Sequence, residues 1–269
     1  MAATLFSLQN KVAVVTGACG LLGVQHCRAL AAAGARVVVA DLNEAACNEL
    51  AASLGPEHMG VSLNVTSRAS LEAGRDAILA KYQHIDVLVN NAAINDMFEN
   101  PLTAKEQSMF EHYPLEQWDR SWQVNVTGIF LCSQVLGTVM AEQQSGSIIN
   151  ISSTYGIVGP DQSIYRNEAG EQTFYKSPAY PVTKAAVLGF TRYLAAYWGS
   201  KNVRVNALSP GGVENKQDAF FQQQYAAKTL LGKMADATDY QGAVIFLASE
   251  ASAYMTGGNL VVDGGWTAI

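Results

Sequence analysis

Short apolar runs alternate along the chain with longer stretches of mixed polarity. The apolar runs are rich in Val, Ile and Ala and lack the polar alternation of a half-exposed strand. Such runs are typical of a parallel sheet that helices cover on both faces. The predicted strands occupy residues 11–17, 36–41, 59–65, 85–91, 146–152, 203–210 and 259–265, and the first two helices occupy 21–34 and 43–55.

This order predicts an α/β fold of the Rossmann type, a doubly wound parallel sheet of about seven strands flanked by helices on both faces. We find no repeat, low-complexity run or linker, so we expect one domain over residues 1–269. Three stretches depart from the alternation, at 95–117, 159–178 and 214–234. Long loops are often functional, and we expect these three segments to cover a substrate.

The composition narrows the classes of function. Hydrophobic residues make up 49% of the 269 residues and charged residues 15%, which is enough to bury a large core. The formal net charge of −6 argues against a nucleic-acid partner, which needs a basic face. Residues 121–141 are uncharged and long enough to cross a bilayer, but their Ser, Thr, Asn and Gln side chains predict a buried or interface helix and no membrane partner.

The cysteines and histidines indicate neither disulfides nor a metal. Four cysteines show no CxxC spacing and no disulfide framework, and four histidines are scattered along the chain. The first residues lack the basic and apolar regions of a secretory signal. We therefore expect a cytoplasmic protein without a metal site.

A glycine-rich loop, "TGACGLLG", follows the first strand and opens the first helix. Gly17 permits a tight turn, and a loop without side chains lets backbone N–H groups approach a pyrophosphate. The positive end of the helix dipole favours the same anion. Glycine triplets also serve turns and helix packing, but this position between strand and helix favours dinucleotide binding.

Asp41 ends the second strand, 18 residues after Gly23. An acidic residue at this distance binds the adenosine ribose hydroxyls in dinucleotide folds. Its charge would repel the 2′-phosphate of NADP, and the next residue, Leu42, brings no compensating base, so we predict NAD. Asp41 could equally cap the helix that starts near Asn43, and both roles are compatible.

The pentapeptide "YPVTK" places Tyr180 and Lys184 on one helix face, because residues four apart are neighbours there. Pro181 fits only the first turn of a helix, which puts Tyr180 at its start. An ammonium group near the phenol would lower the pKa of Tyr180 and prepare it for acid/base chemistry.

Several motifs in this order resemble those of the short-chain dehydrogenase/reductase family over almost the whole chain. They are "TGACGLLG", "NNAA" (90–93), "VNVTG" (124–128), "NISS" (150–153), "YPVTK", "SPGG" (209–212) and "TGGNLVVDGG" (256–265).

The resemblance implies a catalytic set of Asn125, Ser153, Tyr180 and Lys184. Tyr180 would transfer the proton, Lys184 would lower its pKa and hold the nicotinamide ribose, and Ser153 would bind the reacting oxygen. Asn125 would hold a water between Lys184 and solvent, and Asn90 would support the cofactor side of the sheet. The expected NAD contacts are Gly17, Cys19, Gly20, Leu22, Gly23, Asp41, Leu42, Asn64, Val65, Asn91, Ala92, Ala93, Tyr180, Lys184, Pro210, Gly211 and Val213.

Two positions depart from the single-domain pattern of that family. Leu21 stands where those members have glycine, giving the rhythm of extended members such as nucleotide-sugar epimerases and dehydratases. Asn64 stands where many relatives have an Asp beside the adenine. Only Trp266 to Ile269 follow the predicted last strand, which leaves little chain for the second lobe of an extended member. A simple dehydrogenase is therefore favoured.

The cover segments favour a small hydroxylated or anionic substrate, such as a polyol, sugar or sugar acid. The segment 159–178 contains Tyr165, Arg166, Tyr175 and Lys176, and 214–234 contains Gln222, Gln223 and Gln224. Such groups also solvate ordinary surface loops. A 3-oxoacyl-thioester reductase and a non-catalytic NAD(H)-binding regulator remain alternatives, and the resemblance implies a homotetramer, with a homodimer as the alternative.

Overall fold

The sheet is built from seven strands. The computed structural model describes residues 2–95 and 101–269. Its strands are β1 Val12–Thr16, β2 Arg36–Asp41, β3 Met59–Ser62, β4 Val87–Asn90, β5 Gly146–Ile151, β6 Val203–Pro210 and β7 Asn259–Val262. All neighbours pair in parallel in the order β3-β2-β1-β4-β5-β6-β7. The predicted Rossmann-type fold is confirmed.

Helices cover both faces of the sheet, as predicted. In the described part of the chain they are α1 Ala2–Leu5, α2 Leu21–Ala32, α3 Glu44–Leu54, α4 Arg68–Tyr82, α5 Pro101–Ser108, α6 Leu115–Trp122, α7 Gly128–Gln143, α8 Ala179–Trp198, α9 Ala219–Ala226 and α10 Gln241–Ala248.

Strand β1 explains why the apolar runs show no polar alternation. Val12 and Val14 pack into a core with residues of α4, α7 and α8 on one face. Ala13 and Val15 pack into a second core with residues of α2, α3 and α10 on the other. Every position of the strand is buried, because each side chain meets a layer of helices.

Residues 121–141 lie within one continuous helix, Leu115–Gln143, which contains a π turn at Gln123–Thr127. In the described chain it is the one helix long and apolar enough to cross a membrane, and 61% of its apolar window is buried inside the protein. Cys132, Leu136 and Met140 belong to the core that α4 and α8 share. The expected buried helix is therefore observed.

Strands β3 and β7 end earlier than predicted because side chains bond the backbone just beyond them. The amide of Asn64 accepts hydrogen bonds from the N–H and the hydroxyl of Thr66, which turns the chain after β3. The carboxylate of Asp263 accepts from the N–H groups of Gly265 and Thr267 after β7. Such local bonds compete with the strand ladder.

The order of strands reverses at β1, whose neighbours are β2 and β4. Crossover helices then leave on opposite faces, which opens a crevice at the carboxyl ends of β1 and β4. Predicted functional residues follow these two strands and also β5 and β6, so the topology brings distant sequence motifs to one edge of the sheet.

Candidate active site

The loop between β1 and α2 depends on two glycines for packing. Gly17 has φ +60, and a Cβ there would lie 2.7 Å from the Cα of Ala92. A Cβ on Gly23 would lie 2.2 Å from the carbonyl oxygen of Gly17. The side chain of Asn91 donates to the carbonyls of Thr16 and Gly17, at 3.0 and 2.9 Å. Loop, helix and the end of β4 thus form one close-packed unit.

Gly20 is different, because a Cβ added at this position would meet only the carbonyl oxygen of Gly17, at 3.4 Å. This is an ordinary contact, so the fold does not require glycine at this position. Gly20 lines the open crevice directly before α2 begins at Leu21. The unpaired N–H groups at a helix start favour an anion there.

The carboxylate of Asp41 is fixed at the end of β2 by two backbone bonds. One oxygen accepts from the N–H of Cys19 at 2.9 Å and the other from the N–H of Leu42 at 2.7 Å. Asn43, not Asp41, caps α3 by accepting from the N–H of Ala46. The helix-cap interpretation of Asp41 is therefore wrong, since the carboxylate braces the glycine loop at the edge of the crevice.

A cavity of about 410 Å³ lies over this loop. Ten predicted cofactor residues line it, namely Gly17, Gly20, Leu22, Asp41, Leu42, Asn64, Val65, Asn91, Ala92 and Ala93. Sequence reasoning missed Leu21, Leu63, Thr66, Ile94, Arg120 and Val124, which complete the lining. Cys19 and Gly23 do not line it. The backbone N–H of Cys19 donates to the carboxylate of Asp41, and Gly23 allows α2 to pack closely against the loop.

Ser153 and Tyr180 come together across the crevice, although 26 residues separate them in the sequence. Ser153 follows β5, and Tyr180 is the second residue of α8, as Pro181 predicts. Their side chains share a hydrogen bond. The hydroxyl of Ser152 donates instead to the carbonyl of Lys184, at 2.8 Å, so it holds the backbone of α8. This division of roles supports Ser153 as the serine of the site.

Lys184 lies one turn further along α8, with its ammonium group 5.7 Å from the centre of the Tyr180 ring. The ammonium donates to the carbonyl of Ile151 at 2.8 Å. Asn125 is buried in the π turn and donates to the hydroxyl of Thr183, at 3.1 Å, beside Lys184. Its amide also pairs with the N–H and carbonyl of Ile94, so it joins the end of β4 to α8.

Burial dominates the electrostatics of the pair. It raises the pKa of Tyr180 above its usual value, and the hydrogen bond with Ser153 offsets this only in part. Burial also lowers the pKa of Lys184 to about 8. The net direction for Tyr180 is opposite to the predicted depression, because burial raises the pKa more than Ser153 lowers it, and the ammonium group of Lys184 bonds the carbonyl of Ile151.

A second cavity of about 340 Å³ adjoins the first and shares Leu21, Leu22, Asn91 and Ala93 with it. Ser153, Tyr180 and Lys184 line it, together with the predicted Pro210, Gly211 and Val213. We call this cavity the substrate cleft. Asn125 lies behind it and Asn90 lies in the core, where the side chain of Asn90 donates to Asn150 and Ser133.

The cover segments contribute a different set of side chains from the predicted one. Tyr165 and Lys176 line the cleft as expected, but Arg166, Tyr175, Gln222, Gln223 and Gln224 do not. Gln217, Phe221, Tyr225 and Met234 of the third segment line it instead, together with Tyr155, which follows β5 outside the cover segments, and the lining is more aromatic than predicted. From 95–117 only Asn95 reaches the cleft within the described chain, and 96–100 lie outside the described residues.

Comparisons with known proteins agree with this arrangement. A family model described as enoyl-(acyl carrier protein) reductase matches residues 17–267. A D-threitol dehydrogenase of Mycolicibacterium smegmatis is 35% identical, over 97% of this chain and 95% of that protein. A 3-alpha-(or 20-beta)-hydroxysteroid dehydrogenase of Mycobacterium tuberculosis is 34% identical, over 97% and 91%. A gluconate 5-dehydrogenase of Burkholderia cenocepacia, solved with NADP and tartrate, superposes with a TM-score of 0.87 at 29% identity, covering 100% of both chains.

Proposed function

Because the chain belongs to the short-chain dehydrogenase/reductase family, whose members use a nicotinamide cofactor, we propose that it interconverts a secondary alcohol and a ketone on a small polar substrate with NAD(H). The single observation that carries this proposal is the group formed by Ser153, Tyr180 and Lys184 in the wall of the substrate cleft, which adjoins the first cavity. A proton-transferring tyrosine has no use in a protein that only senses a cofactor, which disfavours a non-catalytic regulator.

The first cavity fits the adenosine and pyrophosphate of a dinucleotide. It combines a loop poor in side chains, the start of α2 and an acidic residue at the end of β2. When bound, the nicotinamide supplies the site that accepts or donates hydride. The residues that would hold the cofactor are those of the glycine loop, Asp41, the stretch Asn91–Ala93, and Pro210 to Val213.

The proton chemistry belongs to the residues of the chain. In oxidation, the phenolate of Tyr180 takes the proton of the substrate hydroxyl, and in reduction the phenol returns it. Ser153 donates to the reacting oxygen and holds it beside Tyr180. The positive charge of Lys184, 5.7 Å from the centre of the ring, would favour the phenolate against the opposing effect of burial. Asn125 holds this part of α8 by donating to the hydroxyl of Thr183.

Asp41 supports NAD over NADP. Its charge lies at the edge of the cavity where the ribose hydroxyls would bind, and Leu42 beside it is 69% exposed and uncharged. A 2′-phosphate would therefore meet a carboxylate without a neighbouring base. The solved relative with NADP makes a direct comparison of both cofactors necessary.

For the substrate, the small size of the cleft and its hydroxyl and amide groups favour a polyol, sugar or sugar acid. The related D-threitol dehydrogenase and gluconate 5-dehydrogenase bear names of this class. Tyr155, Tyr165 and Gln217 present polar groups that can bond several hydroxyls.

The proposal is tested by following nicotinamide absorbance with polyols, sugars, sugar acids, simple secondary alcohols and 3-oxoacyl thioesters. NAD(H) and NADP(H) are run in parallel, with Tyr180→Phe as the control. We expect turnover with NAD(H) on one hydroxylated class, and a loss of about 100- to 10,000-fold in the Phe variant with NADH binding retained. Turnover restricted to the thioesters, or an active Phe variant, would contradict the proposal.

A further inference from the structure

The substrate cleft contains two phenols that hydrogen-bond to each other and that the proton chemistry does not use. Tyr155 comes two residues after Ser153, and Tyr165 lies in the cover segment 159–178. Both line the cleft, and their hydroxyl oxygens lie 3.3 Å apart, with either hydroxyl able to be the donor. Each phenol also interacts electrostatically with that of Tyr180. These two hydroxyls, which we call the phenol pair, therefore lie near the catalytic tyrosine.

Tyr155 belongs to the turn that follows the serine of the site. Its backbone N–H donates to the hydroxyl oxygen of Ser153 at 3.2 Å, so Ser153 keeps its own O–H for Tyr180 or for the reacting oxygen. The ring of Tyr155 packs edge-on against that of Trp266, at a centroid distance of 6.3 Å. The backbone of this turn thus sets where the phenol of Tyr155 lies relative to the reacting oxygen.

Tyr165 is held by the cover segments. Its carbonyl accepts from the N–H and the hydroxyl of Thr173, at 3.2 and 2.9 Å. Its ring contacts those of Phe174 and Phe221, at centroid distances of 5.5 and 5.6 Å. Tyr155 and Tyr165 both pack against a small apolar core of Ile164, Tyr225, Met234 and Trp266. The phenol pair is therefore in place before a substrate binds, which reduces the entropy lost on binding.

The phenol pair offers one donor and one acceptor side by side. One O–H is used for the bond within the pair, and among the described residues neither hydroxyl has another hydrogen-bond partner. The second O–H can then donate to a ligand, and the oxygen of the other phenol can accept. Burial raises the pKa of both phenols, that of Tyr165 to about 12, so both stay neutral at physiological pH. A neutral hydroxyl, which donates and accepts, completes a ring of three hydrogen bonds with the pair.

A carboxylate matches the phenol pair less well than a hydroxyl does. It only accepts hydrogen bonds, so it could bond both phenols only if the bond between them broke. After burial, the negative charge of Asp161 is among the causes that raise the pKa of both phenols. This charge, which Lys228 offsets in part at 2.7 Å, disfavours an anion at the pair and leaves a neutral hydroxyl unaffected.

We propose that the phenol pair of Tyr155 and Tyr165 binds a second hydroxyl of the substrate and makes the cleft selective for polyhydroxylated substrates over simple alcohols. This rests on the proposed dehydrogenase function of the same cleft. While Ser153 and Tyr180 hold the reacting oxygen, another hydroxyl of the same molecule donates to one phenol and accepts from the other. A simple secondary alcohol lacks this hydroxyl and leaves the phenols bonded only to each other.

Four-carbon alcohols that differ in their number of hydroxyls test this role. Threitol carries four hydroxyls and 2-butanol one, and both contain a secondary alcohol. We expect the native enzyme to favour threitol over 2-butanol in kcat/KM by about 10-fold or more. Tyr155→Phe and Tyr165→Phe keep the packing of the rings. Each should lower kcat/KM for threitol by about 5- to 50-fold, mainly through KM, and change that for 2-butanol by less than about threefold.

Two further variants show whether the hydroxyls act together. Because the ring of three bonds needs both phenols, the loss for threitol in Tyr155→Phe, Tyr165→Phe should equal that of either single variant rather than their product. Tyr254→Phe removes the hydroxyl of a fully exposed tyrosine and should change neither substrate. Equal losses for threitol and 2-butanol in the single variants would mean that the phenols act on Tyr180 or on the fold, and would overturn the proposal.

Threonate tests the charge of the group that the phenol pair binds, because it has a carboxylate in place of one terminal alcohol of threitol. If the pair binds a hydroxyl, the Phe variants should impair threitol at least as much as threonate. A loss confined to threonate would mean that the pair binds an anion, and would equally overturn the proposal.

Saturation-transfer NMR with NADH present distinguishes failure of this inference from failure of the proposed function, because it measures binding without turnover. Threitol should bind the native protein at least about tenfold more tightly than 2-butanol, and Tyr165→Phe should remove most of the difference. If no alcohol turns over but this pattern holds, the dehydrogenase assignment fails and the hydroxyl site stands. If turnover occurs and the Phe variants bind threitol as tightly as the native protein, the role of the phenol pair is wrong.

Discussion

Lys184 illustrates how the chemistry of the site imposes a cost at the scale of one residue. Its ammonium group is buried, and the pKa falls from 10.5 to about 8 because the charged form is poorly solvated. Below pH 8 the lysine is protonated in both the folded and unfolded states, so the full penalty acts against the fold. Between pH 8 and 10.5 only the unfolded state keeps the proton, so the penalty declines as pH rises.

Lys184→Met should therefore be more stable than the native protein at pH 7. We expect the free energy of unfolding to rise by roughly 1–3 kcal/mol, after allowance for the lost bond to Ile151. This gain should appear as a melting temperature several degrees higher. The difference should shrink when melting is measured at pH 10. Lys201→Met serves as the exposed control. A variant less stable than native at pH 7 would show that the Ile151 bond outweighs desolvation.

Asp41 offers a second test at this scale, since its carboxylate both braces Cys19 and faces the cofactor cavity. In the double variant Asp41→Asn, Leu42→Arg, an amide keeps the acceptor for Cys19 and an arginine adds a phosphate partner. The ratio of kcat/KM for NADPH to that for NADH should rise by about 100-fold or more.

The single variant Asp41→Asn should account for only part of this change, because it removes repulsion without adding attraction. Steady-state kinetics with both cofactors measures the ratio for each protein. A native enzyme that already prefers NADPH would contradict the NAD assignment and would direct attention to Arg120, the basic residue in the lining of the same cavity.

At the scale of elements, we expect two glycines of the loop to have different roles, Gly23 in packing α2 against the loop and Gly20 in binding the cofactor. Gly23→Ala places a methyl group 2.2 Å from a backbone oxygen, so α2 must move away from the loop. We expect it to lower the free energy of unfolding by about 1–3 kcal/mol or more. Gly20→Ala meets no such contact, so its melting temperature should match the native value while NADH binding weakens.

This prediction is checked by thermal melting without cofactor and by titration of protein fluorescence with NADH. If Gly23→Ala and Gly20→Ala both matched the native protein in melting temperature and in affinity for NADH, the distinction would be contradicted. Neither methyl group would then disturb the loop, and the pyrophosphate would not approach Gly20.

The elements themselves were largely predictable from the sequence, because burial on two faces leaves a signal in each strand separately. Alternate residues of β1 enter opposite cores, and this produces the unbroken run "VAVVT". The ends of β3 and β7 were not predictable, since side chains of Asn64 and Asp263 end them by bonding the backbone. The π turn around Asn125 has no comparable signature in a single sequence.

The candidate site was also predictable only in part from the sequence. The sequence locates Tyr180, Lys184 and Ser153, because each belongs to a motif that is complete within a few residues. The substrate wall depends on long-range contacts instead. Phe221 lines the cleft while Gln222 to Gln224 do not, and this follows from how α9 packs the Phe221 ring on Tyr165. Gln217, which precedes α9, donates to the carbonyl of Val213. Lys176 lies over Tyr180 because Gln162 holds its backbone.

At the scale of the whole molecule, one surface is unusually apolar. On α7 and α8, the rings of Phe130, Phe190, Tyr193 and Tyr197 contact one another in sequence, at centroid distances of 6.0–6.5 Å. Tyr193 and Tyr197 are each 62% exposed, and Phe130 is 45% exposed. Exposed aromatic patches of this kind are typical of protein interfaces.

We expect this surface to join subunits of the homotetramer that the family resemblance implies. Sedimentation velocity at micromolar concentration should give a tetramer for the native protein and a smaller species for Tyr193→Arg, Tyr197→Arg, because charges are depleted at interface cores. Tyr254→Arg, at a fully exposed position outside this surface, should leave the assembly unchanged. A native monomer would contradict the tetramer, and a native tetramer unaffected by the double variant would place the interface elsewhere. Since α8 also carries Tyr180 and Lys184, loss of the interface should lower kcat as well if subunit contacts hold that helix in place.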